Sequence, residues 1–264
     1  MSNPEDIRNK AAQIKKTADS AAKRKSNIAQ IVGGSLVAVV VVGIIGVGLF
    51  AKSNAKTDSL PPELATEYNS SAQLPAGVSA KEGYGVPVGT SNANVPRVEL
   101  YEDFQCPACG QLEKVNSENI LAAGEKDEIN LTLHPMIFLD RNFPESKRSS
   151  LRSTMAWGCA VDAGKTVEYH SGVFEMQPAQ EGKGFTDDQL INLAKKVGIT
   201  DAALTDFEDC FSSAKYQAWA ENSQLHAQDR GVPGTPAMYI NDAVVDSNTI
   251  YDKDLFAQAV AAAK

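Results

Sequence analysis

Cysteine is scarce in this chain, and its placement argues against a cysteine-built zinc site. Only four cysteines occur in 264 residues. Cys106 and Cys109 supply one Cys-x-x-Cys half of a zinc site, but Cys159 and Cys210 lie too far apart in sequence to supply the other. Histidine is equally sparse, with three residues, His134, His170 and His226, which read as structural or surface groups. A Cys–His hydrolase needs a lone nucleophile, and the second thiol beside Cys106 spoils that arrangement. Basic charge is missing from most of the chain. The net charge is −8, and residues 1–27 carry seven Lys or Arg against three acids, so everything beyond them sums to −12. An acidic body has nothing to replace the counterions on phosphate, which argues against a nucleic-acid partner. No internal repeat is visible either. At 43% hydrophobic residues the chain buries one core with attachments.

The basic end has its own explanation. Ser26 to Ala51 contains no charge and Ile28 to Phe50 is almost wholly apolar, which at about 1.5 Å per residue spans roughly 34 Å, enough for a bilayer's hydrocarbon layer. Seven basic residues precede the run and two, Lys52 and Lys56, follow it. The positive-inside rule therefore reads residues 1–27 as a cytoplasmic tail, 28–50 as a transmembrane anchor in the lipid bilayer, and the remainder as extracytoplasmic. The run is longer than an ordinary signal-peptide core and its basic lead is extended, so a retained anchor is favoured over a cleaved signal. Residues 51–90, rich in Ser, Asn, Ala, Gly and Pro, read as a linker to a folded domain over 91–264.

That domain is organised around Phe104-Gln105-Cys106-Pro107-Ala108-Cys109-Gly110. The motif follows an alternating strand, Val95–Glu102, and opens a helix expected over Pro107–Ala123, with Pro107 tolerated in the first turn and Gly124 ending it. Unpaired N–H groups and partial positive charge at a helix start favour a thiolate at Cys106, and one helical turn brings Cys109 back within disulfide reach. A second strand carries Ile129, Leu131 and Leu133 and stops at His134-Pro135; with this length of crossover it lies parallel to the first. Residues from about 141 to 230 read as helices, one opened by the capping box of Thr186 and Gln189. A hairpin, Ala237–Ile240 and Ala243–Val245, and a last helix, Asp252–Ala263, complete the order.

Cys-Pro-x-Cys after the first strand and Gly231-Val232-Pro233-Gly234-Thr235-Pro236-Ala237 before the hairpin together resemble the DsbA-like branch of the thioredoxin fold. The likeness is greatest to membrane-tethered, extracytoplasmic members of Gram-positive, actinomycete-type bacteria. It implies an α/β thioredoxin-like fold with a helical insertion at about 141–230, Cys106 and Cys109 as catalytic residues, and an active-site loop of Pro107, Ala108, Thr235 and Pro236. By the same analogy Pro236 follows a cis peptide bond beside the thiols. The pattern is not complete. The carboxylate such enzymes commonly bury six residues before the first cysteine is here Leu100, and no histidine stands between the cysteines. Asp103 takes a proton from Cys109 if its side chain turns inward; otherwise Glu99, Glu102 and Asp103 are solvated acids at a strand end.

Cys159 and Cys210 fall on different helices of the insertion, in a compartment where thiols oxidise. A structural disulfide is the favoured reading; a second redox pair and two inert buried thiols are the others. The function expected is introduction of disulfides into exported, cysteine-containing proteins, with a membrane partner of DsbB or vitamin K epoxide reductase type to reoxidise the enzyme. No metal or dissociable cofactor is implied. A reductase or isomerase of the same fold, or a surface-tethered module that only binds extended peptides, are the alternatives.

Overall fold

The structure, a computed structural model, describes residues 65–264. The expected tail, anchor and first part of the linker lie outside the described residues, and no helix among the described residues is long and apolar enough to cross a membrane.

Five strands form one mixed sheet in the order β1-β3-β2-β4-β5. They are β1 (Val86–Val88), β2 (Arg97–Glu102), β3 (Asn130–Pro135), β4 (Ala237–Ile240) and β5 (Ala243–Val244). β2 and β3 run parallel, with Leu100 opposite Leu133 and Glu102 opposite Pro135. The pairs β1·β3, β2·β4 and β4·β5 are antiparallel. β2 is therefore central and buried along most of its length. Alternation along the strand sends Val98 and Leu100 into the main core, while Tyr101 joins Met136, Ala227 and Tyr239 on the other face.

The crossover from β2 to β3 differs from the single helix expected. It is α1 (Pro107–Leu112), a π-helical stretch (Glu113–Ser117) and α2 (Glu118–Glu125). Within the wider turn the buried Asn116 amide donates to the Ile250 carbonyl at 2.8 Å. A π turn needs no Pro or Gly, so nothing in the local sequence marks it.

The insertion comprises α3 (Leu139–Asn142), α4 (Ser149–Asp162), α5 (Thr166–Glu175), α6 (Asp187–Lys196), α7 (Asp201–Ser212) and α8 (Gln217–Asp229). α4 is its axis: twelve of its residues, Ser149 to Val161 except Arg152, are buried. Trp157 and Trp219 are fully buried against each other, with ring centroids 6.1 Å apart. The capping box is formed on both sides, Gln189 N–H donating to Thr186 Oγ1 and Thr186 N–H to Gln189 Oε1. Cys159 of α4 and Cys210 of α7 are joined in a disulfide. Two helices follow the hairpin, α9 (Ser247–Ile250) and α10 (Lys253–Ala262).

The linker expected over residues 51–90 requires correction, because its part from 65 onward belongs to the domain. The Asn222 side-chain amide pairs with the backbone of Asn69, accepting from its N–H and donating to its carbonyl, both at 2.9 Å. The Tyr68 hydroxyl donates to Asp229, Ala76 N–H to Asp162, and the Trp219 indole to the Tyr84 carbonyl. β1 then adds to the sheet edge, where Pro87 is tolerated. The segment reads as a tether because it lacks an apolar period. Its backbone is held by polar side chains from distant helices.

Candidate active site

β2 delivers the chain to the two thiols, and the four residues after it are held from several sides. Gln177 donates to the carbonyls of Phe104 and Cys106, at 2.9 and 3.0 Å. Cys106 then caps α1, with Pro107 in the first turn where no N–H partner is lost. Cys106 is 7% exposed and Cys109 is fully buried beneath it, while Pro107 and Ala108 face solvent. Both cysteines are free thiols. Across from them the Thr235–Pro236 peptide bond is cis. The Cys106 thiol donates to the Thr235 backbone carbonyl at 3.3 Å.

The two sulfurs are electrostatically unlike. A hydrogen bond from Cys109 pulls the Cys106 thiol down, burial opposes it, and the Thr235 side chain with the N–H groups of Cys109 and Ala108 brings it to about 6. Burial pushes Cys109 well above the usual thiol range, and its hydrogen bond to Cys106 and the negative charge of Glu102 push the same way. One sulfur therefore takes the thiolate and the other holds the proton.

The family model of thioredoxin matches residues 81–255, a span that contains both thiols, the cis-proline loop and the whole insertion. The chain belongs to the thioredoxin family. The helical block between β3 and β4 gives it the DsbA-like form of the thioredoxin fold. It is 27% identical over 172 residues to disulfide bond formation protein D of Bacillus subtilis, covering 64% of this chain and 73% of that one. Among solved structures it is similar to MdbA, a thiol-disulfide oxidoreductase from Actinomyces oris (TM-score 0.59, 21% identity, 68% of this chain and 88% of that one). It is also similar to BdbD from Bacillus subtilis (TM-score 0.58, 20% identity, 73% and 98%).

This thioredoxin domain has three acids near the motif, and none of them is solvated: Glu99, Glu102 and Asp103 are all buried. Glu99 accepts two hydrogen bonds from Arg230 on the Tyr101 face of the sheet, away from the thiols. Asp103, the acid expected to take a proton from Cys109, is instead saturated with donors. It accepts from Gln105 N–H at 2.9 Å, Ser150 Oγ at 2.6 Å and Leu139 N–H at 3.2 Å. Asp140 is bound alongside by the N–H groups of Ser150 and Leu151 and by Gln105. These two carboxylates fasten the active-site loop to the start of α4, where unpaired helical N–H groups need acceptors.

Glu102 is the carboxylate that faces the sulfurs of this thioredoxin. Burial lifts it to about 8, with the charge of Cys106 adding to the shift. Its Oε2 shares a 3.1 Å hydrogen bond with His170 Nε2, while Oε1 is buried with no partner. His170 is enclosed by Phe104, Trp157 and Phe174. Burial depresses its basicity, so it is neutral at pH 7. The residues that sequence reasoning missed are thus Glu102 in this role, Glu113 and His170. Glu113 was legible in principle, since it stands four positions after Cys109 on one helix face. His170, on a helix of the insertion, carried no local signal. His134, by contrast, is a core residue that bonds Gly83 O and stacks on Tyr101.

Proposed function

We propose that Cys106 and Cys109 introduce disulfides into exported, cysteine-containing proteins. The single observation that carries this reading is the opposition of the two thiols, one lowered and facing a loop, the other sealed and raised. A stabilised thiolate stabilises the reduced enzyme, which makes its disulfide an oxidant.

In the reaction a substrate thiolate attacks Cys106 Sγ of the Cys106–Cys109 disulfide. The new bond joins substrate to Cys106; the old bond breaks, and Cys109 leaves and takes a proton from Glu102. A second substrate thiolate attacks the substrate sulfur of the mixed disulfide and expels Cys106 as a thiolate. Two electrons have passed from substrate to enzyme. Exposed Pro107 and Ala108, with the Thr235 loop opposite, form the surface where an extended substrate segment lies. A membrane partner of DsbB or vitamin K epoxide reductase type then takes the two electrons away. The apolar run 28–50 holds the domain outside the membrane, within that partner's reach.

Equilibration of the full chain with glutathione tests the direction: an equilibrium as reducing as that of a cytosolic reductant overturns the oxidase. A Cys109→Ser chain expressed in cells is expected to retain exported, cysteine-bearing proteins as mixed disulfides on Cys106. Capture of none supports the peptide-binding alternative.

A further inference from the structure

The group that protonates Cys109 has to be reprotonated, and it is sealed from the active-site mouth. Glu102 is 5% exposed and His170 2%, yet Glu102 Oε1, His170 Nδ1 and Glu113 Oε1 are all buried without hydrogen-bond partners. Three unsatisfied polar atoms in one place call for a cause. The two ring nitrogens of His170 face different carboxylates, Nε2 toward Glu102 at 3.1 Å and Nδ1 toward Glu113 at 4.0 Å. A shift of about 1 Å closes the second gap to hydrogen-bond distance. Glu113 in turn lines a cleft of about 680 Å³ between the π-helical stretch and α5, bounded also by Gly110, Lys114 and Ser171. None of the residues lining the cleft belongs to the Thr235 loop.

We propose that Glu102, His170 and Glu113 form a proton path between Cys109 and this cleft, separate from the mouth where substrate sits. The path rests on the exchange reaction proposed above and gives its buried sulfur an exit to water. His170 and Glu113 act through Glu102 and are positioning residues. During substrate oxidation Glu102 gives its proton to Cys109 Sγ, His170 Nε2–H passes one to Glu102, and Nδ1 takes one from Glu113, which is refilled from the cleft. The ring is left as the other tautomer. Reoxidation removes the Cys109 proton along the reverse route, Glu102 to Nε2 and Nδ1 to Glu113, and restores the first tautomer. One proton in and one out per cycle match the two halves of the exchange, and the imidazole never has to turn in its aromatic cage.

The protonation states on either side are compatible with this. The titratable groups facing Glu102 are Cys106 and Cys109 from α1, Glu113 from the same helix, His170 from α5 and Tyr251 from the loop before α10. None is a lysine or arginine. Burial lifts Glu113 to about 7 and Glu102 to about 8, so donor and acceptor are closely matched near neutrality. The same three side chains offer one ligand atom each within 4.8 Å, a spacing that also suits a metal ion. Imidazole binds a metal through one nitrogen only, and here each nitrogen addresses its own carboxylate, which favours the proton path.

The test uses the purified full chain, oxidised, mixed with a cysteine-containing peptide. Glu113→Gln and His170→Phe, the latter keeping the ring packing, are each expected to slow exchange about tenfold, against roughly a hundredfold for Glu102→Gln. Both slow variants should gain a solvent deuterium effect that the natural chain lacks, and added imidazole should restore the rate of His170→Ala. The thiolate absorbance titration of Cys106 should stay in place in all three. If His170→Phe does not fold, Glu113→Gln at the cleft wall decides alone. Rates within twofold of the natural chain for Glu113→Gln and His170→Phe, beside a slow Glu102→Gln, overturn the path and leave the exchange reaction standing. Stoichiometric binding of Zn²⁺ that Glu113→Gln abolishes overturns it in favour of a metal site. Absence of exchange in the unaltered chain defeats the function itself.

Discussion

The two cysteine pairs of this molecule have opposite surroundings. Cys159 and Cys210 join two helices of the insertion, 51 residues apart in sequence, and Cys159 packs in the apolar core. Cys106 and Cys109 share one helical turn and sit among groups that treat them differently: backbone N–H donors and Thr235 on one sulfur, burial and Glu102 on the other. One pair is joined in a disulfide, and the other is two free thiols whose neighbours favour ionisation of Cys106 and oppose it at Cys109.

The comparison breaks most completely at Cys106. Cys106→Ser should abolish peptide oxidation, because no other group in the pair is both accessible and low in pKa. Removing the other pair should do the reverse. Cys159→Ala with Cys210→Ala is expected to keep the exchange rate within about twofold and to lose about 4 kcal/mol of stability, by the chain-entropy estimate for a loop of this separation. Denaturant unfolding and a peptide-oxidation assay on the same samples separate the two outcomes. Loss of exchange in the double variant would show that the pairs are coupled, contrary to the division drawn here.

A smaller effect sharpens the contrast between the adjacent acids Glu102 and Asp103. Both are buried at the end of β2, but Asp103 accepts three hydrogen bonds and Glu102 has an oxygen with none. Asp103→Asn turns one of those acceptors into a donor facing another donor. It should cost about 1–3 kcal/mol and leave the peptide-oxidation rate of the folded protein near that of the natural chain. A large fall in rate without loss of stability would return the proton-transfer role to Asp103.

These contrasts explain what the sequence could reveal. The strand before Cys106, the Pro107 helix start, the Thr186–Gln189 box and the hairpin were legible because each is a local pattern, fixed by period, cap or turn chemistry. Residues 65–90 were misread for the opposite reason. Their bonds go to Asn222, Asp162, Asp229 and Trp219, and a segment held by distant polar groups has no period of its own. The π turn at Glu113–Ser117 and the approach of His170 to Glu102 are likewise tertiary facts. Glu102 itself was visible as one of three acids, but which of them turns toward sulfur depends on the parity of β2 and on what α4 offers Asp103.

The finest test of the Glu102 assignment is the pH dependence of stability of the reduced protein. Glu102 has its folded pKa raised from 4.5 to about 8 by burial. Its neutral form is therefore favoured by folding, and the contribution is fully present below 4.5 and lost as pH rises through 8. Cys106 has the opposite sign. Its pKa is lowered from 9.0 to about 6, so its contribution is full above 9 and lost as pH falls through 6. Burial also raises Asp103 to about 8 and Glu113 to about 7, with the same sign as Glu102, so between 6 and 8 the natural reduced protein loses stability as pH rises, against the opposing slope of Cys106. Glu102→Gln removes one of these falling contributions, so the variant's profile should be shallower over that interval. In a Cys106→Ser chain the opposing slope is gone and the fall should be steeper. Parallel profiles for Glu102→Gln and the natural protein would mean that Glu102 ionises as freely in the fold as in water, and the carboxylate facing Cys109 would have to be sought elsewhere.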